Sequence, residues 1–208
     1  MEGRTLKDNI VICISRQYGS GGKEIGELVA KKLNIPCYDK EIIYEMAKNS
    51  GVSKELLEDY DERPTNSFLY SLSLGSYSNH GNFISNNSTL PLTDKIFLIQ
   101  TDTIKALAKT SCVVVGRCAD SILDNNNVFS VFIYADIDNR TERVSKMLNI
   151  SKTEASGLIK KMDKKRASYY NYYSDSRWGD ALTYNLCINS NCDIEYAAEL
   201  IVSAIKLR

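Results

Sequence analysis

Short apolar runs alternate with segments of helical periodicity along most of the chain. Val11, Ile12 and Ile14 form the first apolar run, and Ile25 and Leu28 begin a helical repeat after the next turn. The pattern predicts strands near 10–15, 35–38, 112–116, 128–134 and 184–189, and helices near 22–33, 40–50, 53–62, 93–109, 118–123, 138–148, 151–172 and 193–206. Strands separated by helices indicate an α/β protein. We therefore expect a five-stranded parallel sheet with helices on both faces and ligands outside the carboxyl strand ends.

A glycine-rich turn joins the first predicted strand to the first predicted helix. Gly19, Gly21 and Gly22 permit positive φ, so that main-chain N–H groups can turn toward an anion. The N-terminus of the following helix would add the positive end of its dipole. The turn therefore predicts phosphate binding, and an ordinary glycine-rich turn is the alternative.

The turn departs from the P-loop pattern G-x-x-x-x-G-K-[ST] in two positions. If Gly22 and Lys23 are the Gly-Lys pair, Gln17 replaces the first glycine and Glu24 replaces the hydroxyl that binds Mg²⁺. If the loop is aligned on Gly19 instead, a glycine occupies the lysine position. Arg16 or Lys23 would then supply the positive charge, and the sequence leaves both alignments open.

Composition fits one globular domain spanning residues 1–208. The chain has 26 basic and 26 acidic residues, and this zero net charge argues against a general nucleic-acid coat protein. The first eight residues, MEGRTLKD, lack the apolar core of a signal peptide, and no later run is long enough to span a membrane. We expect a cytoplasmic protein that binds neither a membrane nor a nucleic-acid polymer.

The cysteine and histidine content excludes several kinds of site. The six cysteines contain no C-x-x-C pair and are predicted to be small buried apolar residues rather than disulfides or zinc ligands. His80 is the only histidine, so a multi-histidine metal site has no ligands and none is predicted. Residues 64–93 are rich in Ser and Asn, which predicts a substrate-covering excursion or, as the alternative, a plain flexible insertion or an oligomer contact.

Five separate segments resemble the cytidylate kinase-like proteins, within the nucleoside monophosphate kinases of the P-loop group. They are ISRQYGSGGKEIG at 14–26, IPCYDKEII at 35–43, VVVGRCADSIL at 113–123, VFIYADIDNRTERV at 131–144 and DKKRASYYNYYSDSRWGDALTYNLCINS at 163–190. The resemblance implies a P-loop NTPase-type three-layer sandwich with a helical lid. It also implies ATP and Mg²⁺ as cofactors and in-line phosphoryl transfer to a nucleoside monophosphate, CMP or dCMP.

The resemblance also implies how the two substrates are held. The glycine turn would bind ATP, and the acceptor would bind after the second strand. The predicted ATP-binding residues are Ser15, Gly19, Ser20, Gly21, Gly22, Lys23 and Glu24. On the acceptor side, Asp39 matches an aspartate of these kinases, although a helix N-cap is an equal alternative, and Tyr44 would border the base. Glu45 stands where cytidylate kinases carry an arginine.

Arg117 follows an apolar strand and a glycine, which places its guanidinium at the carboxyl edge of the sheet. A planar guanidinium there can bind an acceptor phosphate through two hydrogen bonds, and the related kinases have Gly-Arg at this point. We therefore assign Arg117 to both catalysis and acceptor binding, against the alternative of a structural ion pair. Asp120 is interpreted as an ion-pair partner of Arg117 rather than a catalytic base.

The segment 146–180 is predicted to be a lid. Residues 146–177 contain eight basic and three acidic side chains, a net charge of +5 in a neutral protein; a solvated basic helix is the alternative. By analogy, Arg166 is the catalytic lid arginine beside Asp163, and Arg140 and Arg143 form a second substrate-binding pair. The aromatic residues at 169–178 are predicted to pack, with base stacking as the alternative.

Two other functions stay open on the sequence. One is a P-loop kinase for another small acceptor, because Glu45 and the Ser/Asn-rich excursion fall in the region that would recognise the acceptor. The other is a non-catalytic nucleotide-binding protein with a degenerate P-loop, as Glu24 would suggest. Nucleotides are the expected partners, and a homodimer is possible.

Overall fold

The sheet consists of five parallel strands with β1 at its centre. A computed structural model describes residues 9–61, 90–123 and 127–208. The strand order is β2-β3-β1-β4-β5. The strands are β1 (Val11–Arg16), β2 (Cys37–Tyr38), β3 (Cys112–Val115), β4 (Val128–Tyr134) and β5 (Leu186–Asn189).

Eight helices connect or flank these strands within the described residues. They are α1 (Gly22–Leu33), α2 (Glu41–Ser50), α3 (Lys54–Tyr60), α4 (Leu92–Leu107), α5 (Ala119–Ile122), α6 (Ile137–Leu148), α7 (Lys152–Tyr173) and α8 (Ile194–Lys206). A capping box starts α7, in which the Ser151 hydroxyl accepts from the Glu154 N–H and the Glu154 carboxylate accepts from the Ser151 N–H. This local signal starts α7 within one residue of the predicted position.

The two faces of β1 build two separate apolar cores. Ile12 and Ile14 pack with α1 and α8, whereas Val11 and Cys13 pack with α2 and α4 on the other face. This alternation follows from the two-residue period of a strand. The result is the predicted three-layer sandwich with its five-stranded parallel sheet.

The order of connections locates a crevice at the carboxyl edge of the sheet. The chain leaves β1 toward β2 on one side, and it leaves the adjacent β3 toward β4 on the other side. Such a reversal between neighbouring strands opens a ligand-binding crevice in parallel α/β sheets. The glycine turn after β1 and Arg117 after β3 both lie at this edge.

The long helix α7 packs through both of its halves. Its first half forms an apolar cluster with α6 through Ala155, Ile159 and Val144. Its second half buries Tyr169 and Tyr170 in an aromatic cluster with Cys118, Phe97, Tyr173 and Trp178. Four of the five aromatic residues of this part of the chain therefore pack, as the sequence predicted, whereas Tyr172 is 50% exposed.

The expectation of six buried cysteines is correct for only half of them. Cys13, Cys112 and Cys118 are buried, Cys37 and Cys187 are half-buried, and Cys192 is exposed; all six are free thiols. Burial raises the pKa of the Cys37 thiol to about 12 and that of Cys112 to about 11.

Two further expectations concern the excursion and membranes. The Ser/Asn-rich excursion, with His80, lies outside the described residues except for residues 90–93. None of the helices in the described ranges combines the length and apolar character needed to cross a membrane.

Candidate active site

The glycine loop, residues 17–21, connects β1 to the N-terminus of α1. Gly19 has φ +77°, and a Cβ there would lie 2.7 Å from Cγ2 of Val144. A Cβ on Gly22 would lie 2.5 Å from Cβ of Arg16. Both positions therefore require glycine, one for its conformation and both for space. The loop and the helix N-terminus after it form an arrangement that suits a phosphate group.

Side chains from the neighbouring strand ends hold the glycine loop. Ser190, which follows β5, donates from Oγ to the Ser20 carbonyl at 2.6 Å. Gln17 accepts at Oε1 from the Ala135 N–H at 3.1 Å. Gln17 thus anchors the loop to the end of β4. It takes the place of the first P-loop glycine if Gly22 and Lys23 are the Gly-Lys pair. Both anchoring roles escaped the sequence interpretation, although Ser190 directly follows a predicted strand.

An acidic residue of α7 binds the main chain of the glycine loop. The Tyr18 N–H donates to Oδ1 of Asp163 at 2.7 Å. Oδ2 of Asp163 forms an ion pair with the buried Arg140, whose guanidinium also donates to the Tyr18 carbonyl at 3.3 Å. Asp163 and Arg140 therefore hold the loop together. The sequence predicted both as substrate-binding residues and did not predict these contacts with the loop.

Two further arginines bind carbonyl groups of the same stretch of chain. Arg143 donates to the Gly19 carbonyl at 2.8 Å, and Arg166 donates to the Arg16 carbonyl at 3.1 Å. The Arg166 guanidinium also lies over the ring of Tyr18, 5.4 Å from its centroid. The structure thus brings four of the predicted lid and substrate-binding residues to the glycine loop, namely Arg140, Arg143, Asp163 and Arg166.

A cluster of charges, the rim cluster, lies beside the glycine loop at the carboxyl edge of the sheet. It comprises Arg16, Lys23, Asp39, Asp61 and Arg117. Atoms of the Asp39 carboxylate lie 3.8 Å from Nη2 of Arg16, 3.6 Å from Nζ of Lys23 and 3.6 Å from Nη1 of Arg117. Asp39 therefore links cations on either side of the glycine loop to a cation that follows β3.

The alternative of Asp39 as a helix N-cap is wrong. Helix α2 begins at Glu41, and Lys40 occupies its N-cap without a side-chain cap. The Asp39 carboxylate, 13% exposed, contacts the cations of the rim cluster instead, because the chain leaves β2 at the carboxyl edge of the sheet.

Arg117 is the most buried charge of the rim cluster, with a side chain that is 2% exposed. It donates from Nε and Nη2 to the two carboxylate oxygens of Asp61 at 3.1 and 3.0 Å, and from Nη1 to the Asp39 carbonyl. Its own carbonyl accepts from Gln100, which also bonds to Tyr169. The predicted position of Arg117 is thus observed, and the sequence did not identify Asp61 as its partner.

Lys23 is a firmly protonated cation in this setting. Burial acts to lower its pKa, but the carboxylates of Asp39, Glu27 and Glu41 outweigh burial and raise the pKa above its ordinary value. The Glu41 carboxylate accepts from the Asp39 N–H at 2.9 Å. Hydrogen bonds from the main-chain N–H groups of Asp39 and Glu41 lower the pKa of the Glu41 carboxyl. These shifts favour the charged forms of both Lys23 and the neighbouring Glu41.

The remaining predicted site residues have simpler surroundings. Ser15 and Ser20 are buried, and the Ser20 hydroxyl donates to the Gln17 carbonyl at 2.9 Å. Glu24 is exposed on α1. Tyr44 is 54% exposed, and its hydroxyl accepts from Lys54 at 2.9 Å.

Asp120 has a different partner from the one predicted. Its carboxylate accepts from the Tyr170 hydroxyl at 2.6 Å, and burial raises its pKa above the ordinary value. Asp120 thereby joins α5 to the aromatic cluster of α7.

The order of the sheet and the glycine loop before α1 together define a P-loop NTPase-type fold. A shikimate kinase from Bacteroides thetaiotaomicron has a TM-score of 0.54 and 14% identity, covering 96% of this chain and 99% of that chain. A sugar kinase from Janibacter sp. HTCC2649 has a TM-score of 0.52 and 12% identity, covering 94% of each chain. At these identities the likeness concerns the fold.

The chain belongs to the cytidylate kinase-like family, whose model matches residues 11–192. It is also 32% identical to an uncharacterized protein from Eubacterium ventriosum ATCC 27560, whose structure has a TM-score of 0.68. That match covers 96% of this chain and 100% of the other. No curated protein matches this sequence. The protein is thus a kinase-like P-loop protein.

Proposed function

We propose that this protein transfers the γ-phosphoryl group of ATP to a nucleoside monophosphate, with CMP or dCMP as the acceptor. The observation that carries the proposal is the contact of Asp39 with Lys23 at the start of α1 and with Arg117 after β3. The cation that follows the loop proposed to bind phosphate and the arginine proposed to bind the acceptor therefore share one cluster. Two anionic substrates bound there would meet with their phosphates adjacent, and the family membership supports the same reaction.

The donor side of the site fits the triphosphate of ATP. The main-chain N–H groups of the loop and the N-terminus of α1 would bind phosphate oxygens, and Lys23 and Arg16 would neutralise their charge. The tight packing of Gly19 and Gly22 fits this role, because side chains there would disturb the loop. Mg²⁺ would arrive with the nucleotide, since no cluster of three acidic, His or Cys side chains occurs within the described residues.

The proposed phosphoryl transfer requires mainly that the two substrates are positioned correctly and that the negative charge on the transferring group is stabilised. Arg117 would hold the acceptor phosphate, and Arg166 would stabilise the negative charge of the transferring group as the lid closes. Arg166 contacts the Arg16 carbonyl directly before the glycine loop, so its side chain lies next to the proposed phosphate site. Exclusion of water around the closed site would limit hydrolysis of ATP.

The direct test measures ADP release from ATP and Mg²⁺ with CMP, dCMP, UMP, AMP and GMP, and without an acceptor. We expect CMP or dCMP to stimulate release strongly in the wild type and weakly in Lys23→Ala. Lys31→Ala, in the exposed last turn of the same helix, is the matched control. Equal rates with and without every nucleotide would refute the proposal.

A kinase for another small acceptor is the second candidate. Glu45 lies on α2 and pairs with Lys48 at 4.0 Å, where cytidylate kinases have a cation for the acceptor. A non-catalytic nucleotide-binding protein is the third, because an exposed Glu24 follows Lys23. Turnover that depends on Mg²⁺ but not on CMP would favour the second candidate, and ATP binding without turnover would favour the third.

A further inference from the structure

Asp61 occupies the edge of Arg117 that an acceptor phosphate would need. A guanidinium offers its Nε and Nη2 as a fork that matches two oxygens of a carboxylate or of a phosphate equally well. In this structure both donors bind the Asp61 carboxylate, at 3.1 and 3.0 Å. An anionic ligand cannot use the same fork while Asp61 remains there.

The geometry also shows the side from which a ligand would approach. The Arg117 side chain is 2% exposed, whereas that of Asp61 is 29% exposed. Asp61 therefore lies on the solvent side of the pair. The third donor, Nη1, binds the Asp39 carbonyl and does not take part in the Asp61 contact. Exchange of Asp61 for a ligand would thus leave the inner anchor of Arg117 in place.

Asp61 is held in position from two directions. It is the C-cap of α3, and its N–H donates to the Glu58 carbonyl at 3.3 Å. Its carbonyl accepts from Nζ of Lys165 on α7 at 2.8 Å. The same helix carries Asp163, which contacts the glycine loop, so the position of α7 affects both the glycine loop and Asp61.

We propose that Asp61 is a specificity-determining residue that takes the place of the acceptor's anionic group on Arg117 and is displaced only by an acceptor bearing phosphate. This inference rests on the proposed function, in which the acceptor is a nucleoside monophosphate. A phosphate dianion carries more charge than a carboxylate and can displace it. A neutral nucleoside or polyol has no anionic group to replace the Asp61 carboxylate on Arg117. The pair therefore discriminates against acceptors that lack the phosphate.

The test compares binding of inorganic phosphate and of CMP to the wild type and to Asp61→Asn by calorimetry. Removing the competing carboxylate raises the fraction of molecules with a free fork, so we expect binding about tenfold tighter for both anions. Cytidine should show no such gain. Asp59→Asn, an exposed change on the same helix, is the control for net charge and should bind like the wild type. Unchanged or weaker binding to Asp61→Asn overturns the inference.

Two further variants make the result independent of overall charge and of folding. Adding Arg117→Lys to Asp61→Asn should abolish the gain, because an ammonium cannot form the fork. Lys165→Met removes a positive charge, which by itself would weaken phosphate binding. It also removes the hydrogen bond that holds the Asp61 carbonyl, so we expect this variant to bind phosphate more tightly than the wild type. If Asp61→Asn does not fold, Lys165→Met decides, and unchanged or weaker binding overturns the inference.

The outcomes separate this inference from the proposed function. If no nucleotide stimulates ADP release in any variant but phosphate binding still tightens in Asp61→Asn, the proposed function fails and the role of Asp61 as the occupant of Arg117 stands. If CMP stimulates ADP release but Asp61→Asn binds neither anion more tightly, the function stands and the inference fails.

Discussion

The glycine loop and the rim cluster lie side by side, yet different forces hold them. Hydrogen bonds to main-chain groups hold the glycine loop, including those from Ser190 to the Ser20 carbonyl and from Arg143 to the Gly19 carbonyl. Contacts between charged side chains hold the rim cluster, above all the pair of Arg117 and Asp61.

The difference bears on what each region can do. Main-chain contacts fix the shape of the glycine loop before any ligand arrives, which fits its proposed role in binding ATP. Ion pairs can exchange one anion for another in the same geometry, which favours an acceptor that enters and leaves. We expect variants of the two regions to affect the two substrates separately.

The largest effect is expected from Arg117→Lys, which changes the exchangeable region. An ammonium keeps the charge but loses the two-point contact, so kcat/KM for the acceptor should fall about a hundredfold or more. Steady-state kinetics with the acceptor varied measures this, and exposed Arg177→Lys is the control. A value close to that of the wild type would remove Arg117 from acceptor binding.

The next effect is expected from Gly22→Ala, which disturbs the fixed region. The new methyl group would meet Cβ of Arg16 at 2.5 Å, so the free energy of unfolding should fall by about 1–3 kcal/mol. Gly157→Ala is the matched control, because nothing lies within 4 Å of that position in α7. Urea denaturation measures both, and the control should gain about 0.5–1 kcal/mol. An equal response of both variants would contradict the tight packing.

A smaller effect is expected from Asp163→Asn. This variant distinguishes the substrate-binding role predicted from the sequence from the loop-holding role seen in the structure. The amide loses the ion pair with Arg140 and weakens the contact with the Tyr18 N–H. A charged hydrogen bond contributes about 1.5–3 kcal/mol, so the KM for ATP should rise about tenfold while the KM for the acceptor stays unchanged. Exposed Asp175→Asn is the control. A rise in the acceptor KM alone would instead support the substrate-binding role predicted from sequence.

The smallest effect is expected from Ser190→Ala. The Ser20 carbonyl loses its donor at 2.6 Å, and the free energy of unfolding should fall by about 1 kcal/mol. Thermal unfolding compares this variant with Ser203→Ala, an exposed change on α8. Equal melting temperatures would show that the anchor does not contribute to stability.

Much of the fold could be predicted because its signals are local. The observed bounds of α1 (Gly22–Leu33) and β4 (Val128–Tyr134) equal the predicted ones, since apolar periodicity and glycine punctuate the chain at those points. The five-stranded parallel sheet and the family were predicted correctly as well. The positions of Asp39 and Arg117 at the carboxyl edge follow from the same local reasoning, because each comes just after a strand.

The partners of these residues depended on the tertiary structure. Asp163 meets Tyr18 across 145 residues, and Ser190 meets Ser20 across 170. Asp61 follows a short helix and has no motif of its own, yet the packing of α3 brings it to Arg117. The sequence by itself determined the elements and which side chains lie at the edge of the sheet, because periodicity and turns are properties of neighbouring residues. Only the tertiary structure decided which charges pair there, because contacts between distant residues depend on how the whole chain packs.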